Sequence, residues 1–329
     1  MAEKIVVIGS NSFSGASFIR YALEQGVEVI GISRSPEAER SFLPYKWLKQ
    51  SNFIFFELDL NHDLNKIMEI INSEKPDYVI NFAAQSMVAQ SWDHPEHWFM
   101  TNVVSTVKFH DQLRHCNFLK KYVHISTPEV YGSCEGFIKE STSYNPSTPY
   151  AVSRAAADMS LQSFFNAYQF PVVFTRAANV YGPGQQLYRI IPRTILFIML
   201  GKTLQLHGGG ISTRSFIHMK DVSEATLSIA RKSPPGEIYH ISTNTIISIH
   251  DLVKLICDTM NESFDKLAKV GKERLGKDAA YLLDSAKIRN NLGWEEKISL
   301  KEGIEEVIKW VESNLEELKK QPYEYIHKP

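Results

Sequence analysis

Over its first half the chain alternates short apolar runs with segments of helical period, and few folds accept that order. Lys4–Ile8 (KIVVI) is a β-branched run closed by Gly9 and Ser10, the pattern of a strand buried on both faces. Residues 14–24 follow with Phe18, Ile19 and Leu23 at helical spacing. The spacing predicts further strands over 27–32, 53–58, 78–82, 122–126 and 171–176. Helices are expected over 64–73, 101–114 and 150–168. Strands that alternate with helices make βαβ units, so the fold expected is α/β, a Rossmann-type doubly wound parallel sheet with both faces covered. After Gly182 the rhythm breaks at Pro183-Gly184, Gly208–Gly210 and Pro234–Gly236. This predicts a smaller, discontinuous α/β cap over the sheet's carboxyl edge. Residues 1–182 are expected to form the main unit, with parts of 211–245 returning to it. Residues 183–329 should mainly form the second, smaller unit.

Composition removes other classes. There are 36 Lys+Arg against 37 Asp+Glu, a net charge of 36 − 37 = −1, which argues against a nucleic-acid partner. No stretch reaches the roughly 18 apolar residues of a membrane span. The run ending at Ile8 is too short for the core of a signal peptide. The three cysteines Cys116, Cys134 and Cys257 are widely spaced. They read as incidental thiols in a reducing cytoplasm rather than a disulfide framework. The 11 histidines show no metal-ligand spacing, and no metal is expected.

The segment Gly9–Gly15 (GSNSFSG) joins the first strand to the first helix. A tight glycine turn there aims backbone N–H groups and a helix N-terminus at a pyrophosphate. Gly9, Asn11, Ser12, Phe13 and Gly15 are therefore expected to hold a cofactor, although Ser12 stands where a middle glycine is usual. At the end of the second strand come Ser33 and Arg34, with no carboxylate until Glu37. A guanidinium there suits the 2′-phosphate of NADP better than the free ribose of NAD. NADP is the cofactor expected, with NAD as the alternative.

Ser126–Gly132 (STPEVYG) sits where the fifth strand should end, and Tyr150 opens the long helix with Arg154 one turn on. Residues i and i+4 share a helical face. A fixed cation there should lower the Tyr150 pKa, and a tyrosinate can take a proton from a sugar hydroxyl as hydride leaves its carbon. Thr127 can hydrogen-bond the same hydroxyl.

At these residues the chain resembles the extended short-chain dehydrogenase/reductase family, the nucleotide-sugar epimerases and dehydratases. Matches run nearly end to end. They include the glycine turn, Asp59-Leu60, residues 81–86 (NFAAQS), Asn102, the Ser126–Gly132 segment and Tyr150 with its cation. Further on come residues 175–183 (TRAANVYGP), 214–221 (RSFIHMKD), 274–278 (RLGKD) and Leu292–Trp294. The resemblance implies that Asp59 and Leu60 line an adenine pocket, and that Ala83, Ala84, Gln85 and Asn102 lie along the cofactor. It implies that Ser86, Asn179, Arg214 and Arg274 hold a sugar nucleotide. It also implies a homodimer through a four-helix bundle, built from the Thr101 and Tyr150 helices with Val103, Phe109, Met159 and Phe164 as contacts. Trp92, Trp98 and Phe118 are expected to pack helices.

Subgroups of the family differ after the threonine. This chain carries Pro128-Glu129, and a Glu there is similar to the lyases, since elimination needs a base for the C5 proton. The resemblance thus implies a nucleotide-sugar 4,6-dehydratase with Thr127, Glu129, Tyr150 and Arg154 as catalytic residues. Residues 31–34 and 84–95 resemble the GDP-mannose side and 274–278 the dTDP-glucose side, so the base stays open. Two departures stand out: Arg154 replaces the usual Lys, and Pro128 replaces an acidic proton donor. They leave a 4-epimerase or 4-dehydrogenase as the nearest alternative, and a non-catalytic NADP-binding protein as one of another class.

Overall fold

The computed structural model describes residues 2–49, 52–134, 136–271 and 282–328. Seven strands form one sheet: β1 (Lys4–Ile8), β2 (Glu28–Ser33), β3 (Phe53–Glu57), β4 (Tyr78–Asn81), β5 (Lys121–Ile125), β6 (Val172–Ala177) and β7 (Ile238–Ile241). Their order is β7-β6-β5-β4-β1-β2-β3, with every pairing parallel. This is the Rossmann-type sheet expected from the sequence. The order reverses beside β1, so the loops after β1 and β4 open a crevice at the carboxyl edge.

Strand β1 shows why such runs are buried on both faces. Ile5 and Val7 enter one core with helices α1 (Phe13–Glu24) and α7 (Met219–Lys232). Val6 and Ile8 enter the other, with α2 (Leu64–Glu74), α4 (Thr106–Leu113) and α5 (Pro149–Tyr168). Alternation along a strand sends successive side chains to opposite faces, so a run with no polar member needs a cover on each side. A separate core gathers α6 (Ile190–Met199), α8 (Ile249–Thr259) and the helix Leu300–Ser313 around Ile195, Ile256 and Val307. The chain returns from it to the first core through α7 and β7.

Three details differ from the sequence expectation. The helix expected over 101–114 is divided: Met100–Ser105 is π-helical and α4 follows. The wider turn lets Asn102 point inward, where it is fully buried. Phe109, expected at a subunit contact, is fully buried against Tyr122 instead, because it faces the sheet from α4. Trp92, expected to pack helices, is 56% exposed, whereas Trp98 is buried.

A buried ion pair fastens α5 to the sheet. Asp158 of α5 and Arg176 of β6 are 2.8 Å apart and have no solvent exposure. Ser126, just past β5, donates to the same Asp158 oxygen at 2.7 Å. Arg176 also donates to the Ser141 carbonyl at 2.8 Å and to the Tyr131 hydroxyl, and that hydroxyl lies 2.8 Å from His240 Nε2 on β7. His124 Nε2 sits 3.5 Å from Asp158, but burial pushes its pKa well below the ordinary value, with the Arg154 charge adding to the effect. His124 is therefore neutral, and Arg176 is the cation that balances Asp158.

Removing one member of a buried pair leaves the other charge uncompensated. Asp158→Asn should destabilise the fold by about 3–5 kcal/mol, measured as a lower urea midpoint. The double variant Asp158→Leu, Arg176→Met should lose less than this single change. Equal or larger loss in the double variant would show that the pair is not what holds α5.

Candidate active site

The glycine turn after β1 is shaped by two close approaches. Gly9 has φ +83°, and a Cβ there would meet the Ala83 nitrogen at 2.7 Å. At Gly15 a Cβ would meet the Gly9 carbonyl oxygen at 2.3 Å. Only glycine allows β1, the β4 loop and α1 to come together so tightly. Ser12, at the position of the usual middle glycine, is the N-cap of α1. Its hydroxyl accepts from Gly15 N–H at 3.0 Å and donates to the Gly9 carbonyl at 2.7 Å. Phe13 is buried at the first turn of α1. The turn thus keeps a helix N-terminus at the crevice, which fits the pyrophosphate of a dinucleotide.

Asn11 ties this turn to the loop after β2, donating to the carbonyls of Ser35 at 2.8 Å and Pro36 at 3.0 Å. Its backbone N–H reaches Ser33 Oγ at 3.4 Å. Glu37, the first carboxylate after β2, lies 3.0 Å from the Tyr45 hydroxyl and 2.8 Å from Lys46. The same Tyr45 hydroxyl also reaches Asn11 Oδ1 at 3.2 Å, so Glu37 is linked to the glycine turn through Tyr45. Asp59 accepts from Asn61 N–H at 2.8 Å, and Leu60 is buried in the core beside Ile30 and Ile32.

The loop after β4 carries Ala83, Ala84, Gln85 and the exposed Ser86. Asn102 clamps it: its Oδ1 accepts from Gln85 N–H at 2.9 Å and its Nδ2 donates to the Gln85 carbonyl at 3.0 Å. Nδ2 also reaches Ser153 Oγ on α5 at 2.9 Å. The side chain of Asn102 is thus spent on shaping the loop. The C-terminal segment arrives here too. The Lys328 carbonyl accepts from Gln85 Nε2 at 2.7 Å and from Arg34 Nη2 at 3.1 Å. Two expected cofactor contacts therefore touch the tail, a connection that no sequence pattern indicates.

The residues expected to carry the chemistry meet at the end of β5 and the start of α5. Thr148 caps α5 by accepting from Ala151 N–H at 3.2 Å, and Pro149 occupies its first turn, which places Tyr150 at the helix start. Thr127 caps a short 3₁₀ turn, Pro128–Tyr131, and its Oγ1 accepts from Glu129 N–H at 3.3 Å. Pro128 is the buried first residue of that turn, so its ring shapes the backbone that presents Glu129. The Thr127 hydroxyl hydrogen-bonds the Tyr150 phenol, and the Glu129 carboxylate acts on the same phenol through its charge. Arg189, exposed at the N-cap of α6, also acts on it. Sequence reasoning passed over Arg189, because a cation just before an apolar helix carries no local signature.

The expectation of a lowered Tyr150 pKa is not met. The phenol is raised above its ordinary value, first by burial and then by the Glu129 charge. Arg154, the Thr127 hydroxyl and Arg189 pull in the opposite direction without prevailing. Burial is the first cause, and Arg154 offsets only part of it. Its guanidinium turns toward β5, donating to the Ile125 carbonyl and lying 3.2 Å from His124 Nε2. The cation is nearly fully buried beneath the helix start.

Of the residues expected to hold a sugar nucleotide, Asn179 opens a short strand paired with Phe216–His218, its N–H donating to the Ser215 carbonyl at 3.1 Å. Arg214, the residue before Ser215, donates to the Thr213 carbonyl at 2.8 Å. Arg274 lies outside the described residues. Among the described residues, no helix is long and apolar enough to cross a membrane.

Comparisons with known proteins place this geometry. A family profile for GDP-mannose 4,6 dehydratase matches residues 6–307. The human dTDP-D-glucose 4,6-dehydratase is 36% identical over 271 residues, covering 80% of this chain and 77% of that protein. The dTDP-glucose 4,6-dehydratase of Haemophilus influenzae is 30% identical over 330 residues, covering 93% and 97%. Among solved structures, DesIV, a dTDP-glucose 4,6-dehydratase from Streptomyces venezuelae with NAD and TYD bound, superposes with a TM-score of 0.87 at 27% identity, covering 94% and 97%. A UDP-glucose 4-epimerase from Thermotoga maritima with UDP-glucose gives 0.86 at 26%, covering 95% and 99%. With its parallel sheet, its glycine turn and its Thr–Glu–Tyr cluster, the chain belongs to the GDP-mannose 4,6 dehydratase family of nucleotide-sugar short-chain dehydrogenases/reductases.

Proposed function

We propose that this protein is a nucleotide-sugar 4,6-dehydratase, converting an NDP-hexose to an NDP-4-keto-6-deoxyhexose. The observation that carries the reading is the clustering of two bases: the Thr127 hydroxyl hydrogen-bonds the Tyr150 phenol and accepts from the Glu129 backbone, and the Glu129 carboxylate is near enough to raise that phenol by its charge. Dehydration needs a base at the C4 hydroxyl and another at the neighbouring C5–H. A 4-epimerase needs only the first. The named 4,6-dehydratase relatives support the same reading.

A nicotinamide cofactor, when bound, takes up the C4 hydride and gives it back at C6. The residues that fit it are Gly9, Ser12, Phe13 and Gly15 at the turn, Asn11, Ser33 and Arg34 at the adenosine end, and Ala83 to Gln85 along the crevice. Asp59 and Leu60 border the adenine side, and Asn102 holds the loop. Tyr150, aided by Thr127, takes the proton of the 4-hydroxyl. The resulting 4-ketone acidifies C5–H, which Glu129 removes as water leaves C6. Pro128 has no proton to give, so Glu129 or a water molecule assists the departing hydroxyl. Arg154 acts from beneath, offsetting part of the burial that disfavours tyrosinate. Ser86, Asn179, Arg189 and Arg214 face the sugar nucleotide, with Arg274 as a further contact. A dinucleotide-binding part over 1–182, joined by 211–245, and a sugar-nucleotide part over 183–329 complete this reading.

The purified protein incubated with GDP-, UDP- and dTDP-hexoses should release water from one of them, read by mass spectrometry. Glu129→Gln should abolish water loss while cofactor reduction remains detectable by absorbance. Tyr150→Phe should lower turnover by on the order of a hundredfold or more. Inversion at C4 without water loss would favour the epimerase, and cofactor binding without any turnover the non-catalytic reading.

The cofactor is NADP in this reading. Arg34 stands at the end of β2 and Glu37 is held by Tyr45 and Lys46. The solved relatives with NAD bound support NAD as the alternative. Calorimetry should find NADP at least tenfold tighter than NAD, with the difference lost in Arg34→Ala. Tighter NAD binding would overturn the assignment.

The partner proposed is a second copy of this chain, through a four-helix bundle. The helical stretch from Met100 and α5 together expose Met100 (48%), Val104 (39%), Val152 (38%) and Met159 (58%) at i, i+4 and i, i+7 spacing. Val103 and Phe164 are only half-buried and flank this face. Light scattering should give a dimer that Met159→Glu dissociates. A monomeric parent protein would refute it.

A further inference from the structure

We infer that His94, Glu96 and His97 form a binding site for a borderline divalent cation of the Zn²⁺ class, with His327 of the C-terminal segment orienting one ligand. The sequence reading found no ligand spacing among the histidines. The structure sets the ligand atoms of His94, Glu96 and His97 together and brings His327 beside them from the far end of the chain.

The geometry comes first. His94 Nδ1 lies 3.7 Å from Glu96 Oε1, and His97 Nε2 lies 3.8 Å from the same oxygen. The three residues each offer a ligand atom within 4.8 Å of the others. Zn–N and Zn–O bonds near 2.05 Å imply ligand edges of about 3.3 Å in a tetrahedron. The side chains therefore need to close by only a few tenths of an ångström along the two carboxylate edges. They are exposed enough to do so: 56% for His94, 65% for Glu96 and 29% for His97. Pro95, at the first turn of α3 (Pro95–Phe99), holds the backbone between them. Two imidazoles and one carboxylate suit zinc, cobalt or nickel better than magnesium or calcium, and they leave a fourth position for water.

A second observation points the same way. The other nitrogen of His97, Nδ1, faces His327 Nε2 at 2.8 Å. The two rings are within 17° of parallel with centroids 5.1 Å apart, the arrangement of an in-plane, head-on hydrogen bond. With Nδ1 donating to His327, the Nε2 lone pair of His97 is turned toward Glu96. This is the support that metal-bound histidines ordinarily have. His327 is itself held: its ring stacks on buried Trp98 at 5.0 Å and 13°, and its Nδ1 meets the Tyr325 hydroxyl at 3.3 Å. The same segment ends with the Lys328 carbonyl on Gln85 and Arg34, so the cation site anchors the tail that crosses the cofactor loop.

The test uses the full chain without an affinity tag, stripped with chelator and titrated with Zn²⁺ by calorimetry, and with Co²⁺ by visible absorption. One ion per chain should bind, and Co²⁺ should give the intense bands of a four-coordinate site. His94→Ala, His97→Ala and Glu96→Gln should each weaken binding at least tenfold. His327→Phe, which keeps the stack on Trp98, should weaken it by roughly 10–100-fold with unchanged stoichiometry. Circular dichroism checks that each variant is folded. Absence of saturable one-to-one binding overturns the inference. So does binding that is unchanged in His94→Ala and Glu96→Gln, which would put the ion elsewhere. Unchanged affinity in His327→Phe would remove the tail from the site.

Discussion

The Asp158–Arg176 pair sets the position of α5, and α5 sets the position of the chemistry. The helix bears Tyr150 at its start, so a shift along the sheet would carry the phenol away from Thr127 and Glu129. Apolar packing alone is non-directional and tolerates such sliding. A desolvated ion pair does not, because each charge needs its partner at hydrogen-bond distance. The surrounding bonds from Ser126, Ser141 and Tyr131 spread that requirement over β5, β6 and the loop between β5 and α5. Burial pushes the His124 pKa well down, so the group paired with Asp158 at hydrogen-bond distance is Arg176.

The site itself is a compromise between exclusion of water and stabilisation of charge. Burial raises the Tyr150 phenol, and the neighbouring carboxylate raises it further. In the proposed reaction that carboxylate is the second base, the one that takes the C5 proton. Thr127 serves both: its oxygen accepts from the Glu129 backbone, and its hydroxyl reaches the phenol. The substitution of arginine for lysine places a wide planar cation where it can bond to strand β5. It therefore acts on Tyr150 from the protein side of the helix.

The crevice is closed from three directions by different means. Two glycines let the turn after β1 approach the β4 loop. Asn102, swung inward by a π-helical turn, clamps that loop from behind. The last residues of the chain reach it from outside, through Lys328. Only the first of these is written locally, as glycines at fixed offsets between a strand and a helix.

The apolar runs and their alternation with helical periods were enough to read the parallel sheet, because burial on both faces leaves strands with no polar side. The turn chemistry Gly9–Gly15 was legible for a related reason, since caps and tight turns depend on residues a few positions apart, whereas the role expected of Glu129 was read from the resemblance to the family. The direction of a long side chain depends on what the rest of the fold places around it. The inward turn of Arg154, the burial of Phe109, the raised phenol and the contact of Arg34 with the tail all belong to this second kind. So do His97 and His327, separated by most of the chain and joined at 2.8 Å. Local sequence determined which elements form and what chemistry they can carry. Tertiary packing decided which charges face each other, since desolvation and Coulomb terms depend on distances that only the folded chain sets.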